Sequence, residues 1–123
     1  MENEIPRGHL STIILSTLLD GDKYGYEILK AVEKQTNGII KIKQPSLYSS
    51  LKRMEDQNLI SSYWRDSDIG GRRHYYRLTD LGRKQTIEWQ KDLVTSQKCV
   101  KEIINKTIKE EILLKKFGII FPP

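Results

Sequence analysis

Residues 41–53 read KIKQPSLYSSLKR, and the two sides of that segment decide how the chain is read. Pro45 suits the first turn of a helix, where its missing N–H leaves no bond unmade, with Gln44 before it as a mediocre cap. Leu47, Leu51 and Met54 follow at spacings of four and three, one apolar stripe. The other side carries Ser46, Ser49, Ser50 and Arg53. A helix face shaped only by solubility would use Glu and Lys, because serine costs helix propensity. Short hydroxyl side chains let a helix backbone approach a groove wall closely, and Ser and Arg reach base edges or phosphate oxygens. The segment is read as a recognition helix, with an incidental polar face as the alternative. Lys41, Lys43, Lys52 and Arg53 lie in it without an acid.

Upstream, residues 9–19 place Leu10, Ile14 and Leu18 on one stripe of a core-facing helix that stops at the DGD of residues 20–22. Residues 24–36 repeat the pattern through Ile28, Leu29 and Val32, and Asn37-Gly38 supplies a helix end. Ile39, Ile40 and Ile42 are β-branched and predict a short extended strand.

Downstream the period changes to two. Residues 59–65 and 72–79 read as strands joined by DSDIGG, a hairpin with a loop longer than a two-residue turn. Tyr76 and Leu78 share one face, expected on the core, while Arg73, Tyr75 and Arg77 share the other. Gly70-Gly71 lets the backbone turn and approach a surface closely, and Arg72-Arg73 follows at once. Three helices and then a basic hairpin is the order of a winged helix-turn-helix.

Thr79 is a candidate cap for a further helix, with Asp80 favourable to its dipole. No proline interrupts residues 80–116, so one long helix is expected. Leu93, Val100, Ile104, Ile108 and Ile112 recur along it at spacings of mostly four, and the N-terminal unit can cover only its beginning. A second copy of the chain is the expected cover, by broad helix packing, with a fold-back near Thr95-Ser96 as the alternative. The expected class is mainly α with a small β hairpin: a winged helix-turn-helix domain over residues 1–79, a dimerisation helix over 80–116, and a tail over 117–123 whose GIIFPP cannot continue a helix.

Composition narrows the function classes. Net charge is +5, from 21 Lys and Arg against 16 Asp and Glu, which favours polyanions without naming one. Cys99 is the single cysteine, so neither an internal disulfide nor a multi-thiolate zinc site is available. His9 and His74 lie far apart, Cys99 has no neighbouring base, and no phosphate loop or metal spacing occurs, so neither an enzyme nor a cofactor or metal is expected. The N-terminal MENEIPRGHLST carries acids where a secretory signal needs positive charge, and the apolar clusters are far shorter than the about 18 residues of a membrane span. A cytoplasmic protein without membrane contact is expected.

The runs GHLSTIILSTLLDGDKYGYEILKAVEKQTNG, SLYSSLKRMEDQNLISSYW and GGRRHYYRLTDLGR resemble, in that order, the N-terminal domain of the PadR family of bacterial transcriptional regulators. The resemblance covers about residues 6–83. It implies a homodimeric repressor on an inverted-repeat operator in double-stranded DNA, released by a small aromatic or amphipathic effector or lacking an effector. The DNA-facing set is then Lys43, Gln44, Ser46, Tyr48, Ser49, Ser50 and Arg53, with Arg72 and Arg73 in the wing. Tyr48 either reaches DNA or packs under its helix, and Tyr24 and Tyr26 match the family's aromatic pair, with either a structural role or contact with phosphate. The stretch ISSYWRDSDIGGRRHYYRLTD also resembles the multidrug-sensing subgroup, whose drug pore is walled by a tryptophan of the long helix. Here Leu93 stands at that position and Trp89 one turn earlier, displaced by about 6 Å along the axis. Trp89 and Leu93 are therefore either ligand-binding residues or helix packing. A winged-helix interaction module without an operator is the rival function.

Overall fold

The computed structural model describes residues 7–116, and the side chains within them from residue 9 onward. The tail over 117–123 lies outside the described residues. Helices α1 (Arg7–Thr17), α2 (Gly25–Gln35) and α3 (Gln44–Asp56) precede strands β2 (Ile60–Asp66) and β3 (Arg72–Leu78) and the long helix α4 (Asp80–Lys116). A two-residue strand, β1 (Lys23–Tyr24), lies between α1 and α2. The chain divides into two units, Met1–Gln90 and Lys91–Pro123.

The core of the first unit is built from the periodic residues. Ile14, Leu15 and Leu18 of the α1 segment meet Ile28 of α2, Leu47, Leu51 and Met54 of α3, and Tyr76 and Leu78 of β3. Each helix ends by a local device. Lys23 Nζ donates to the Thr17 carbonyl at 2.6 Å and to Asp20 Oδ1 at 2.6 Å, satisfying the end of α1. Asn37 and Gly38, with φ of 53° and 78°, close α2 in the left-handed region. Asn58, at φ 60°, does the same after α3.

The strand expected at Ile39, Ile40 and Ile42 does not form. The Ile40 N–H is donated to Thr36 Oγ1 at 3.1 Å, which ties the segment back to the end of α2, and Ile42 packs partly buried against the core. Extended pairing arises instead at Tyr24, which the periodicity assigned to a helix. Lys23 and Tyr24 pair with Tyr76 and Tyr75, giving a three-stranded antiparallel sheet in the order β1-β3-β2. The cap of α3 is Lys43 in extended conformation, one residue earlier than expected, with Pro45 in the first turn.

Thr79 caps α4 as expected, its Oγ1 accepting from the Gly82 N–H at 2.9 Å. The same hydroxyl donates to the Asn58 carbonyl at 2.6 Å, and the Thr79 N–H donates to the Leu59 carbonyl at 3.1 Å. This knot brings α4 so close to the end of α3 that a Cβ at residue 82 would overlap the Leu59 carbonyl oxygen, and Gly82 is the residue that permits it. Thr86 is fully buried, its Oγ1 donating to the Gly82 carbonyl at 2.6 Å.

Candidate nucleic-acid interface

A helix turns about 100° per residue, so burial of Leu47, Leu51 and Met54 fixes what α3 turns outward. Lys43, Gln44, Ser46, Ser49 and Arg53 are exposed as expected. Ser50 is not: three residues after Leu47 and four before Met54, it lies on the buried stripe, 3% exposed. Its assignment to the DNA-facing set is corrected on that ground. Lys52, three residues after Ser49, is exposed and lies on the outward face. The same helical period that turns Ser50 inward turns Lys52 outward.

Two members of the set are engaged within the fold. Arg53 Nη2 donates to Ser11 Oγ of α1 at 3.3 Å, a long bond at the surface. Tyr48 is 45% exposed, yet its ring lies where a side chain at Gly25 would stand: a Cβ there would be 2.5 Å from the Tyr48 hydroxyl. Tyr48 therefore packs on the N-terminus of α2 and still presents part of its surface.

The wing is a preorganised hairpin. Asp66 faces Arg72 at the end of the ladder. In the loop 67–71, the Ser67 N–H donates to the Gly71 carbonyl at 2.9 Å and the Gly70 N–H to the Ser67 carbonyl at 3.1 Å. Gly70 and Gly71 have φ of 93° and 80°, which side-chain-bearing residues rarely adopt. Ile69 at the tip is 86% exposed.

The two faces of the hairpin differ. On the face that buries Tyr76 and Leu78, aromatic stacking continues outward: His74 lies 4.8 Å from Tyr76 and 4.5 Å from Trp64, and the Arg72 guanidinium lies 5.6 Å over Trp64. Burial, and then the neighbouring Tyr48 and Glu55, hold the Tyr76 hydroxyl above the ordinary tyrosine value. Ser62 donates to the Glu55 carboxylate, tying β2 to α3. The opposite face carries Tyr63, Tyr75, Arg65, Arg73 and Arg77, joined by Tyr24 of β1. Asp22 anchors it, accepting from the Tyr63 hydroxyl at 2.6 Å and from Arg77 Nε at 3.1 Å. That hydrogen bond to a carboxylate is the main reason the Tyr63 hydroxyl ionises above its usual value.

In the first unit Trp89 packs partly buried against the core. In the second unit Leu93 is half-buried, while Val100, Ile104, Ile108 and Ile112 are exposed in the single chain, as is Ile103, which the spacing of four passes over. None of residues 94–113 is buried. Among the described residues no group of His, Cys, Asp and Glu has the arrangement of a metal site, and no helix is long and apolar enough to cross a membrane.

Comparison with known proteins agrees with this geometry. The pattern of the transcriptional regulator PadR-like family matches residues 14–88. An uncharacterized protein of Lysinibacillus sphaericus is 41% identical over 105 residues, 85% of this chain and 93% of that one. The negative transcriptional regulator PadR of Bacillus subtilis is 26% identical over 110 residues, 89% of this chain and 56% of that protein. The structure of a transcriptional regulator from Clostridium thermocellum superposes with a TM-score of 0.65 at 40% identity, covering 81% of this chain and 93% of that one. A family pattern running from the core of the first helix through the hairpin into the long helix, with relatives matched over most of both lengths, places this chain in the PadR-like family of transcriptional regulators.

Proposed function

We propose that the protein is a repressor that binds an inverted-repeat operator in double-stranded DNA as a homodimer. The observation that carries the reading is the division of α3. Leu47, Leu51 and Met54 are in the core, whereas Ser46, Ser49 and Lys52 are exposed beside a hairpin tipped with two arginines. A helix so held enters a major groove with its hydroxyls at base edges, and the wing reaches the neighbouring backbone. Dimerisation through Val100, Ile104, Ile108 and Ile112 supplies the cover that their exposed side chains lack. Two weak half-sites about one helical turn apart then act as one specific site.

Selection of DNA fragments by the purified protein at about 0.15 M salt tests this. Enrichment of one inverted repeat is expected, and equal weak binding to every duplex favours the interaction-module rival instead. Ser49→Ala should lower the preference for the selected sequence by about 1–3 kcal/mol. Arg72→Ala or Arg73→Ala should weaken binding to all duplexes and reduce its salt dependence.

We assign Trp89 to the response to a planar aromatic effector. Support comes from the partial burial of the indole, which leaves some of its surface open. Trp64 is 57% exposed and would mask the signal, so quenching by planar cationic compounds belongs in a Trp64→Phe background. Quenching that disappears on Trp89→Phe supports the assignment, and no quenching at saturating compound removes it.

A further inference from the structure

The outer face of the sheet carries a second cationic surface that base recognition by α3 does not use. Tyr26, Tyr24, Tyr75 and Tyr63 form a row across it, successive ring centroids 6.4, 5.5 and 5.7 Å apart. Cations lie over the row. Lys30 Nζ is 5.4 Å from the centre of Tyr26, the Arg73 guanidinium 4.6 Å from Tyr24, and the Arg65 guanidinium 5.7 Å from Tyr75. Arg77 lies over Tyr63 and is neutralised by Asp22, but among the described residues Lys30, Arg65 and Arg73 have no carboxylate at ion-pair distance. A guanidinium resting on a ring keeps edge N–H donors for an anion and loses little further freedom on meeting one.

The row is continuous with α3. Tyr48 of that helix packs against Gly25, and Gly25 stands between Tyr24 and Tyr26. A duplex seated on the exposed side of α3 would therefore meet this surface next.

We propose, on the basis of the operator-binding reading above, that Lys30 and Arg65 hold the phosphate backbone of duplex DNA flanking the half-site read by α3, beyond the phosphates that the wing's Arg73 meets on every duplex. The face reads no bases. Stacking of an unpaired base needs an open ring face, and here Tyr24, Tyr63 and Tyr75 are taken up by one another and by the cations, so duplex phosphate fits better than a single strand.

The test uses the full chain and the duplex it selects from a random-sequence library, prepared in two lengths. One is the shortest that keeps the selected sequence, and the other adds about one helical turn of unrelated sequence at each end. Each phosphate neutralised steepens the plot of log affinity against log salt by about 0.9, so two cations in each of two copies account for up to about 3.6. The long duplex should show the steeper slope for the wild type. Lys30→Gln/Arg65→Gln should abolish the difference between lengths, which between about 50 and 200 mM salt is worth up to about 150-fold, and leave the short duplex bound as before. Lys30→Arg/Arg65→Lys should keep the difference, which separates lost charge from a damaged fold. The proposal is overturned if extension does nothing for the wild type, if the glutamine variant keeps the difference or weakens both lengths equally, or if one strand of the long duplex competes as well as the duplex. Selection that yields no preferred duplex refutes the operator reading itself, before any variant is made, and takes this inference with it.

Discussion

Replacing Gly82 by alanine should destabilise the protein, against the ordinary rule for helices. In an exposed helix interior the change stabilises by about 1 kcal/mol, because alanine loses less backbone entropy. At residue 82 the added methyl would overlap the Leu59 carbonyl oxygen and lie 2.7 Å from the carbonyl carbon, both backbone atoms with no rotamer to move through. Relief requires α4 to withdraw from the end of α3. That strains or breaks the bonds of Thr79 to the Asn58 and Leu59 carbonyls, at 2.6 and 3.1 Å. Overpacking costs about 1–3 kcal/mol and each lost hydrogen bond about 1 kcal/mol, so after the propensity gain the net loss is about 2–4 kcal/mol. A melting temperature lower by about 10–25 °C follows for the first unit, measured at one fixed protein concentration. Gly25→Ala is the control. A Cβ there meets the end of the Tyr48 side chain, 2.5 Å from its hydroxyl, and that ring is part-exposed and free to swing, so a loss below about 1 kcal/mol is expected. A Gly82→Ala protein as stable as the wild type would refute the close-approach account.

Three further outcomes follow from the same structure. Ser49→Lys should leave the unfolding free energy within about 0.5 kcal/mol of wild type, whereas Ser50→Lys places an ammonium on the buried stripe and should cost more than about 3 kcal/mol; equal stability would contradict the assignment of the two faces. Ile104→Glu/Ile108→Glu should yield a monomer by sedimentation with the circular dichroism of the first unit retained, and a persisting dimer would remove residues 91–116 as the interface. Tyr63 should ionise above the usual tyrosine value of 10.0 in an ultraviolet titration, because its neutral hydroxyl donates to Asp22. Its contribution to stability is present below that ordinary value and lost as pH rises through the raised one, and Asp22→Asn should bring the titration back down.

Much of the candidate site was legible before the fold was known. The α3 stripe, the hairpin with its glycine turn and the cap at Thr79 each rest on a local period or a local bond, and each appears within a residue or two of its expected place. The inward turn of Ser50 and the outward turn of Lys52 are equally readable from their spacing to Leu47, Leu51 and Met54. Other features had no local signal. Tyr24 precedes a helix and looks like part of it until β3 is beside it. The isoleucines at 39, 40 and 42 have strand chemistry, but they join no ladder among the described residues, and Thr36 takes the Ile40 N–H.

From its sequence alone the chain settles the order of its four helices and the hairpin, which sides of them are apolar, and the excess of positive charge, since these depend on residues within one segment. Which residues meet across segments is a matter of three dimensions: Gly82 against Leu59, Tyr48 against Gly25, and the four tyrosines with their cations drawn from α2, β1, β2 and β3. A side chain's partner is set by how close two backbones come once the core has closed. No period within either segment encodes that distance.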